Sequence, residues 1–168
     1  MHRSIRSTLV CALALAALTA AAIAHAADGV TVELTASRVT KEKGKDVHAP
    51  AEQARPGDLL EYKALYKNES PSEARGLMAT LPIPRGTQFV AGTASPRRVE
   101  ASLDGRTFAP IPLTRKVRLA DGRTVTREVP ATEYVALRWA LGALPAHQSR
   151  EVTARVRIEP TQVASLTR

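Results

Sequence analysis

After residue 26, apolar residues recur at every second position, and no stretch holds a helical period over about eleven residues. Val30, Val32, Leu34 and Ala36 alternate with Thr31, Glu33, Thr35 and Ser37. Leu60, Tyr62, Ala64 and Tyr66 do the same after the turn residues Pro56-Gly57-Asp58, and Leu77, Ala79 and Leu81 follow the break at Asn68-Glu69-Ser70-Pro71-Ser72. This is the period of a strand buried on one face, because successive side chains on a pleated backbone point to opposite sides. Tyr134 to Leu141 places Val135, Leu137, Trp139 and Leu141 together, and Arg150 to Glu159 does so with Val152, Ala154, Val156 and Ile158. Roughly eight to nine short strands separated by turn signals predict an all-β, two-sheet antiparallel sandwich. Its interior is expected to include Leu60, Tyr62, Leu77, Leu81, Leu137, Trp139, Val156 and Ile158.

The connections are legible in part. Leu81-Pro82-Ile83-Pro84-Arg85-Gly86 reads as a crossover between sheets that stays out of any ladder, since proline lacks the N–H and restricts its predecessor. A strand resumes over Gln88 to Ala91. Asp104-Gly105, between Val99–Leu103 and Arg106–Phe108, predicts a hairpin, as does Asp121-Gly122 between Arg115–Ala120 and Arg123–Glu128. Lys41 to Arg55, rich in Lys, Gly, Pro and charge, reads as an exposed loop, and no pattern supports the short edge strand that would fit near Asp46 to Ala49.

The N-terminus carries export chemistry. His2, Arg3 and Arg6 precede an apolar run, Leu9 to Ala22, and Ala24-His25-Ala26 supplies small residues where a signal peptidase reads. Residues 1–26 are therefore expected to be a cleaved signal helix, residues 27–160 the sandwich, and residues 161–168 a tail. The apolar run is short of the ~20 residues a membrane span needs, so no stable span is expected after cleavage. Cleavage leaves 142 of the 168 residues without cysteine, because the lone Cys11 lies in the leader. A domain of that size buries enough surface to fold without disulfides. The expected location is the periplasm or the cell surface.

Without Arg3 and Arg6 the chain has 22 basic residues against 16 acidic ones, so it stays basic. Export argues against a nucleic-acid partner, and no platform of aromatic and arginine side chains is evident for stacking bases. The two remaining histidines, His48 and His147, fall in expected loops without metal-ligand spacing. There is no Gly-x-Ser-x-Gly elbow and no phosphate-binding glycine loop. Asp58, Asp104 and Asp121 each stand beside glycine, which assigns them to turns. Asn68-Glu69-Ser70 matches a glycosylation sequon, although Asn68 is better placed to cap the end of its strand. No catalytic, cofactor or metal residues are expected.

One cluster stands out. A two-residue turn at Asp121-Gly122 would place Arg118 opposite Val125 and Lys116 opposite Arg127. Lys116, Arg118, Arg123 and Arg127 would then share one basic face suited to an anionic envelope partner, such as lipopolysaccharide phosphates or an acidic protein surface. The plainer alternative is a solvated face whose charge discourages edge-to-edge association.

Several of these residues form a familiar order. Pro56-Gly57-Asp58, the Tyr62 strand ending at Asn68, Leu81-Pro82 followed by Arg85-Gly86-Thr87-Gln88-Phe89-Val90, and Trp139-Ala140-Leu141-Gly142 with Leu144-Pro145 span Val30 to Ile158 almost completely. In these features the chain resembles the bacterial conserved repeat domain, designated domain of unknown function eleven. The resemblance implies an immunoglobulin-like sandwich in an envelope or surface protein and carries no catalytic residues. The chain departs from it at Pro145-Ala146-His147, where members often have Pro-Gly, and in having a single copy. The leading expectation is a non-enzymatic, monomeric structural or interaction module with an unidentified envelope partner. A chaperone or assembly subunit working by strand addition at Val30–Arg38 or Arg150–Glu159 is the alternative. A hydrolase acting on envelope glycans would need a cleft with paired carboxylates.

Overall fold

The computed structural model describes residues 24–27 and 29–160. The expected leader up to residue 23 and the expected tail, residues 161–168, lie outside them. The described chain forms twelve strands: β1 (Ala24–Ala27), β2 (Val30–Glu42), β3 (Lys45–Pro50), β4 (Leu59–Asn68), β5 (Ala74–Pro82), β6 (Thr87–Phe89), β7 (Glu100–Ser102), β8 (Ala109–Pro110), β9 (Thr114–Arg118), β10 (Thr124–Glu128), β11 (Ala136–Leu144) and β12 (Ser149–Ile158). Every pairing is antiparallel. One sheet runs β1-β2-β4-β12-β6 with β3 also on β2, the other runs β5-β11-β7-β8, and β9 with β10 makes a separate ribbon. The protein is an all-β sandwich whose sheets remain open.

Chain order explains the two layers. β4 lies in the first sheet and β5 in the second, so the Asn68–Ser72 break is itself a crossover. The Pro-rich segment then returns the chain to the first sheet at β6, as its sequence predicts. One detail differs. Leu81 and Pro82 do join a ladder, opposite Leu137 and Ala136. Pro82 is tolerated because it is the last residue of an edge strand, where a missing N–H is harmless.

The alternating residues of both sheets meet in one core. Leu60, Leu77, Leu81, Leu137, Trp139 and Val156 are buried, whereas Tyr62 and Ile158 are only partly covered. Trp139 is 1% exposed, and its Nε1–H donates to the Pro96 carbonyl at 2.8 Å. Val135 is not a core residue. The strand begins one residue later, and Val135 is 41% exposed while its N–H donates to the Ser102 carbonyl. Tyr134 takes the interior place instead, with its ring stacked on Phe89 and its hydroxyl accepting the Leu113 N–H at 3.0 Å.

Asn68 holds the corner between the layers. It is 1% exposed, and its Nδ2 donates towards the carbonyls of Ser72 (2.8 Å), Leu144 (2.9 Å) and Pro145 (3.1 Å). Its Oδ1 accepts the Ser70 N–H at 3.1 Å. One side chain thus ties the end of β4, the approach to β5 and the end of β11. A sugar acceptor needs a free amide, so in the folded state this sequon is closed. Gly29 packs against the same corner at φ +82°, where an added Cβ would sit 2.6 Å from that of Ser70.

Two expected loops fold differently. Lys41 to Arg55 contains β3, which pairs with β2 from Ser37↔Pro50 to Glu42↔Lys45, so His48 sits on a strand rather than in a loop. Arg106–Phe108 does not pair. The hairpin arm is β8, and the Asp104 carboxylate draws in the N–H groups of Arg106 and Thr107 at 2.8 and 2.7 Å to shape a wider loop. Those two backbone donors, that of Thr107 foremost, hold the Asp104 carboxyl well below the usual range.

The departure at Pro145-Ala146-His147 has a backbone counterpart. The Gln148 N–H donates to the Pro145 carbonyl across the turn, and His147 has φ +59°. A side chain there costs roughly 1–2 kcal/mol, and the extra unfolded-state freedom of glycine returns part of it. His147→Gly should therefore raise stability by about 0.5–1 kcal/mol, read as a higher urea midpoint at unchanged slope.

Candidate interaction surfaces

The basic ribbon is present, but its register differs by one residue. Thr124 pairs with Arg118, Val125 with Val117, Thr126 with Lys116, and Arg127 with Arg115. The cause is the turn. The Leu119 N–H donates to the Arg123 carbonyl and the Gly122 N–H to the Leu119 carbonyl, so Ala120, Asp121 and Gly122 form a three-residue loop with Gly122 at φ +83°. That loop class ends in a left-handed glycine, and it adds one residue to the turn expected from Asp-Gly. A slip of one moves each strand's side chains to the opposite face relative to its partner.

The expected face of Lys116, Arg118, Arg123 and Arg127 is therefore split. Lys116 and Arg118 stand with Thr124 and Thr126, whereas Arg127 stands with Arg115 and the half-buried Val117 and Val125. Arg123 is bound to its own turn, since its Nε donates to Asp121 Oδ2 at 2.7 Å. The Arg123 backbone N–H, and then its side chain, lower the Asp121 carboxyl. Arg115 is held by Glu133 through two hydrogen bonds of 2.6 and 3.0 Å. Lys116, Arg118 and Arg127 form no ion pair among the described residues. The ribbon joins neither large sheet, and its root is fixed by Leu113 and Val129, both buried and bonded through their backbones.

A second polar cluster lies over the first sheet, and sequence reasoning missed it because its members come from four strands. Arg155 of β12 donates to Glu61 of β4 at 2.8 Å and to Asp46 of β3 at 2.7 Å. Lys41 also reaches Asp46, at 2.7 Å. Lys41 first, and then Arg155, hold the Asp46 carboxyl at about 2. Through Asp46 the two cations clamp β3 onto the first sheet. His48 Nδ1 lies 2.9 Å from Ser37 Oγ and 3.8 Å from Glu61 Oε1. A Ser–His–acid relay uses both ring nitrogens, one for the hydroxyl and one for the acid. Here both partners face the same nitrogen, so the trio does not form a relay.

Arg138 differs from expectation in its stacking. Its guanidinium sits 4.1 Å over the Phe108 ring and donates twice to Glu100. The contact lies on the outer face of the second sheet, away from the buried Leu137 and Trp139.

The sheet edges complete the survey. Arg150–Glu159 is an edge only at its start, because β6 pairs with Val156–Ile158 and Ser95 bridges Thr153, which leaves Arg150–Val152 paired with β4 alone. On β2, β1 covers Val30 to Val32 and β3 covers Ser37 to Glu42, leaving Glu33–Ala36 paired only with β4. Among the described residues no helix is long and apolar enough to cross a membrane. Comparisons with protein-family models, with curated proteins and with solved structures return no match for this chain.

Proposed function

We propose that this chain is a non-catalytic, exported envelope module that works by binding, in the manner of the immunoglobulin-like repeat domains it resembles. The observation that carries this reading is the β9–β10 ribbon, a rooted arm that offers Lys116 and Arg118 on one exposed face without carboxylate partners of their own. Two adjacent cations on a stiff ribbon attract an anionic surface, and such attraction is screened by salt over about 10 Å at 0.1 M. Reversing both charges (Lys116→Glu with Arg118→Glu) should lower retention on anionic envelope fractions several-fold at low salt, with little effect at high salt. The paired control, Arg123→Glu, should retain binding because Arg123 already serves Asp121. Equal retention of all three proteins would remove the anionic partner.

A second reading, assembly by strand addition, is favoured by the gap in the cover of β2 between Val32 and Ser37. The two readings are compatible, since ribbon and edge belong to different sheets.

A further inference from the structure

The expected signal-peptidase site and the strand covering the start of β2 are the same residues. β1 is Ala24–Ala27, paired as Ala24↔Val32, His25↔Thr31 and Ala27↔Val30. Cleavage after Ala26 removes all of it except Ala27. Ala27 alone, opposite Val30, is a single terminal residue and makes no strand, so the outer edge of β2 is then open to another strand from Val30 to Ala36, up to the point where Pro50 of β3 takes Ser37. Seven residues is a full strand by ordinary lengths. This edge has none of the usual guards against pairing, for it holds no proline, lysine or bulge. Its single charge, Glu33, is already matched by Lys67 at 3.4 Å.

The segment also reads the same from both ends. Val30-Thr31-Val32-Glu33-Leu34-Thr35-Ala36 is apolar, Thr, apolar, Glu, apolar, Thr, apolar in either direction. A twofold contact needs a surface complementary to itself, and an antiparallel strand pair with a palindromic pattern is one.

We propose that processing after Ala26 uncovers the edge of β2 and that a second copy of this chain occupies it, β2 against β2, about a twofold axis at Glu33. β3 blocks any strand from passing Ala36, so the one register that uses the whole edge puts Val30 opposite Ala36, Thr31 opposite Thr35 and Val32 opposite Leu34 of the second copy. Pairing preserves the side, so Val32 and Leu34, which pack against the core, extend the same apolar face across both copies. The two Glu33 carboxylates meet at the centre, each beside its own Lys67, in a group without net charge. A dimer replaces the monomer expected from sequence. The proposal rests on the export reading.

The test uses the full chain expressed with its own leader and single cysteines at exposed positions of β2, the processed protein having no other thiol. N-terminal sequencing reports the cut and a non-reducing gel reports the pairing. Glu33→Cys should yield a protein starting at Ala27 that oxidises mainly to a disulfide-linked dimer, because directly opposed Cβ atoms lie within about 5.5 Å. Thr35→Cys should link several-fold less, its counterpart being four positions away, roughly 13 Å along the strand. A correct Ala27 terminus with no Glu33→Cys dimer, or with equal linking at both positions, overturns the edge pairing and leaves export standing. A terminus that retains Ala24–Ala27 overturns the export reading and the uncovering together. Linking to a different protein overturns the second copy as occupant.

Discussion

Replacing Asn68 with aspartate should cost the domain much of its stability at neutral pH and far less in acid. The exchange is nearly isosteric, so packing is kept and only the hydrogen bonding changes. Nδ2 faces the carbonyls of Ser72, Leu144 and Pro145, and a carboxylate oxygen in its place would oppose three acceptors at 2.8–3.1 Å in a fully buried site. An uncompensated buried charge costs about 3–5 kcal/mol, against a total stability of about 5–15 kcal/mol for a typical domain. The sign with pH follows from linkage. The new acid has its folded pKa raised, because burial and the carbonyls favour the proton. Below its unfolded value of about 3.9 both states are protonated and the penalty is least. As pH rises above that value the unfolded state ionises first, and stability falls by about 1.4 kcal/mol per unit until the folded pKa is reached.

The unsubstituted domain slopes the other way. Asp46, bound first by Lys41 and then by Arg155, is held at about 2, so its contribution is full above the ordinary value of 3.8 and is lost as pH falls through about 2. Urea denaturation thus separates the two by pH window: the Asn68→Asp protein loses stability as pH rises above about 4, whereas the surface clamp is lost only as pH falls from 3.8 towards about 2. An Asn68→Asp protein as stable as its parent at pH 7 would mean that the amide does not face the three carbonyls.

The second large effect is expected at Trp139. Truncation to alanine should cost roughly 3–5 kcal/mol, since the indole is the largest fully buried side chain and both sheets close on it. The Pro96 carbonyl would also lose its donor, at about 1 kcal/mol. Trp139→Phe keeps most of the apolar volume and should recover more than half of the loss. Thermal denaturation of the three proteins measures both differences. Equal loss for Phe and Ala would assign the cost to the hydrogen bond rather than to the cavity.

Much of the sandwich could be read in advance where the pleat alone decides. β4, β5, β11 and β12 each place apolar residues at every second position and burial follows that parity over most of their length, whereas in β2 it does so up to Thr35, after which Ala36 is exposed and Val39 is buried. What could not be read is set by contacts distant in sequence. β3 is poor in strand-forming residues and exists because β2 runs on to Glu42 and the Arg155–Asp46 pair, 109 residues apart, holds it down. β12 has the pattern of an edge strand, yet β6 arrives beside it only through the crossover from the other sheet. The basic face failed on one residue. Asp-Gly marks a turn correctly but leaves its length open between two and three, and that difference decides which cations stand together. Asn68 was legible as a cap and not as the corner that joins both sheets, because Leu144 and Pro145 lie 76 and 77 positions away.

The central claim is that two open antiparallel sheets close on one indole without a disulfide. The chain has one tryptophan, so its fluorescence reports on Trp139 alone. The account predicts blue-shifted emission in the processed protein, inaccessible to iodide and shifting to the red in a single cooperative step as the sheets part. Red-shifted emission that iodide quenches freely under native conditions would contradict it.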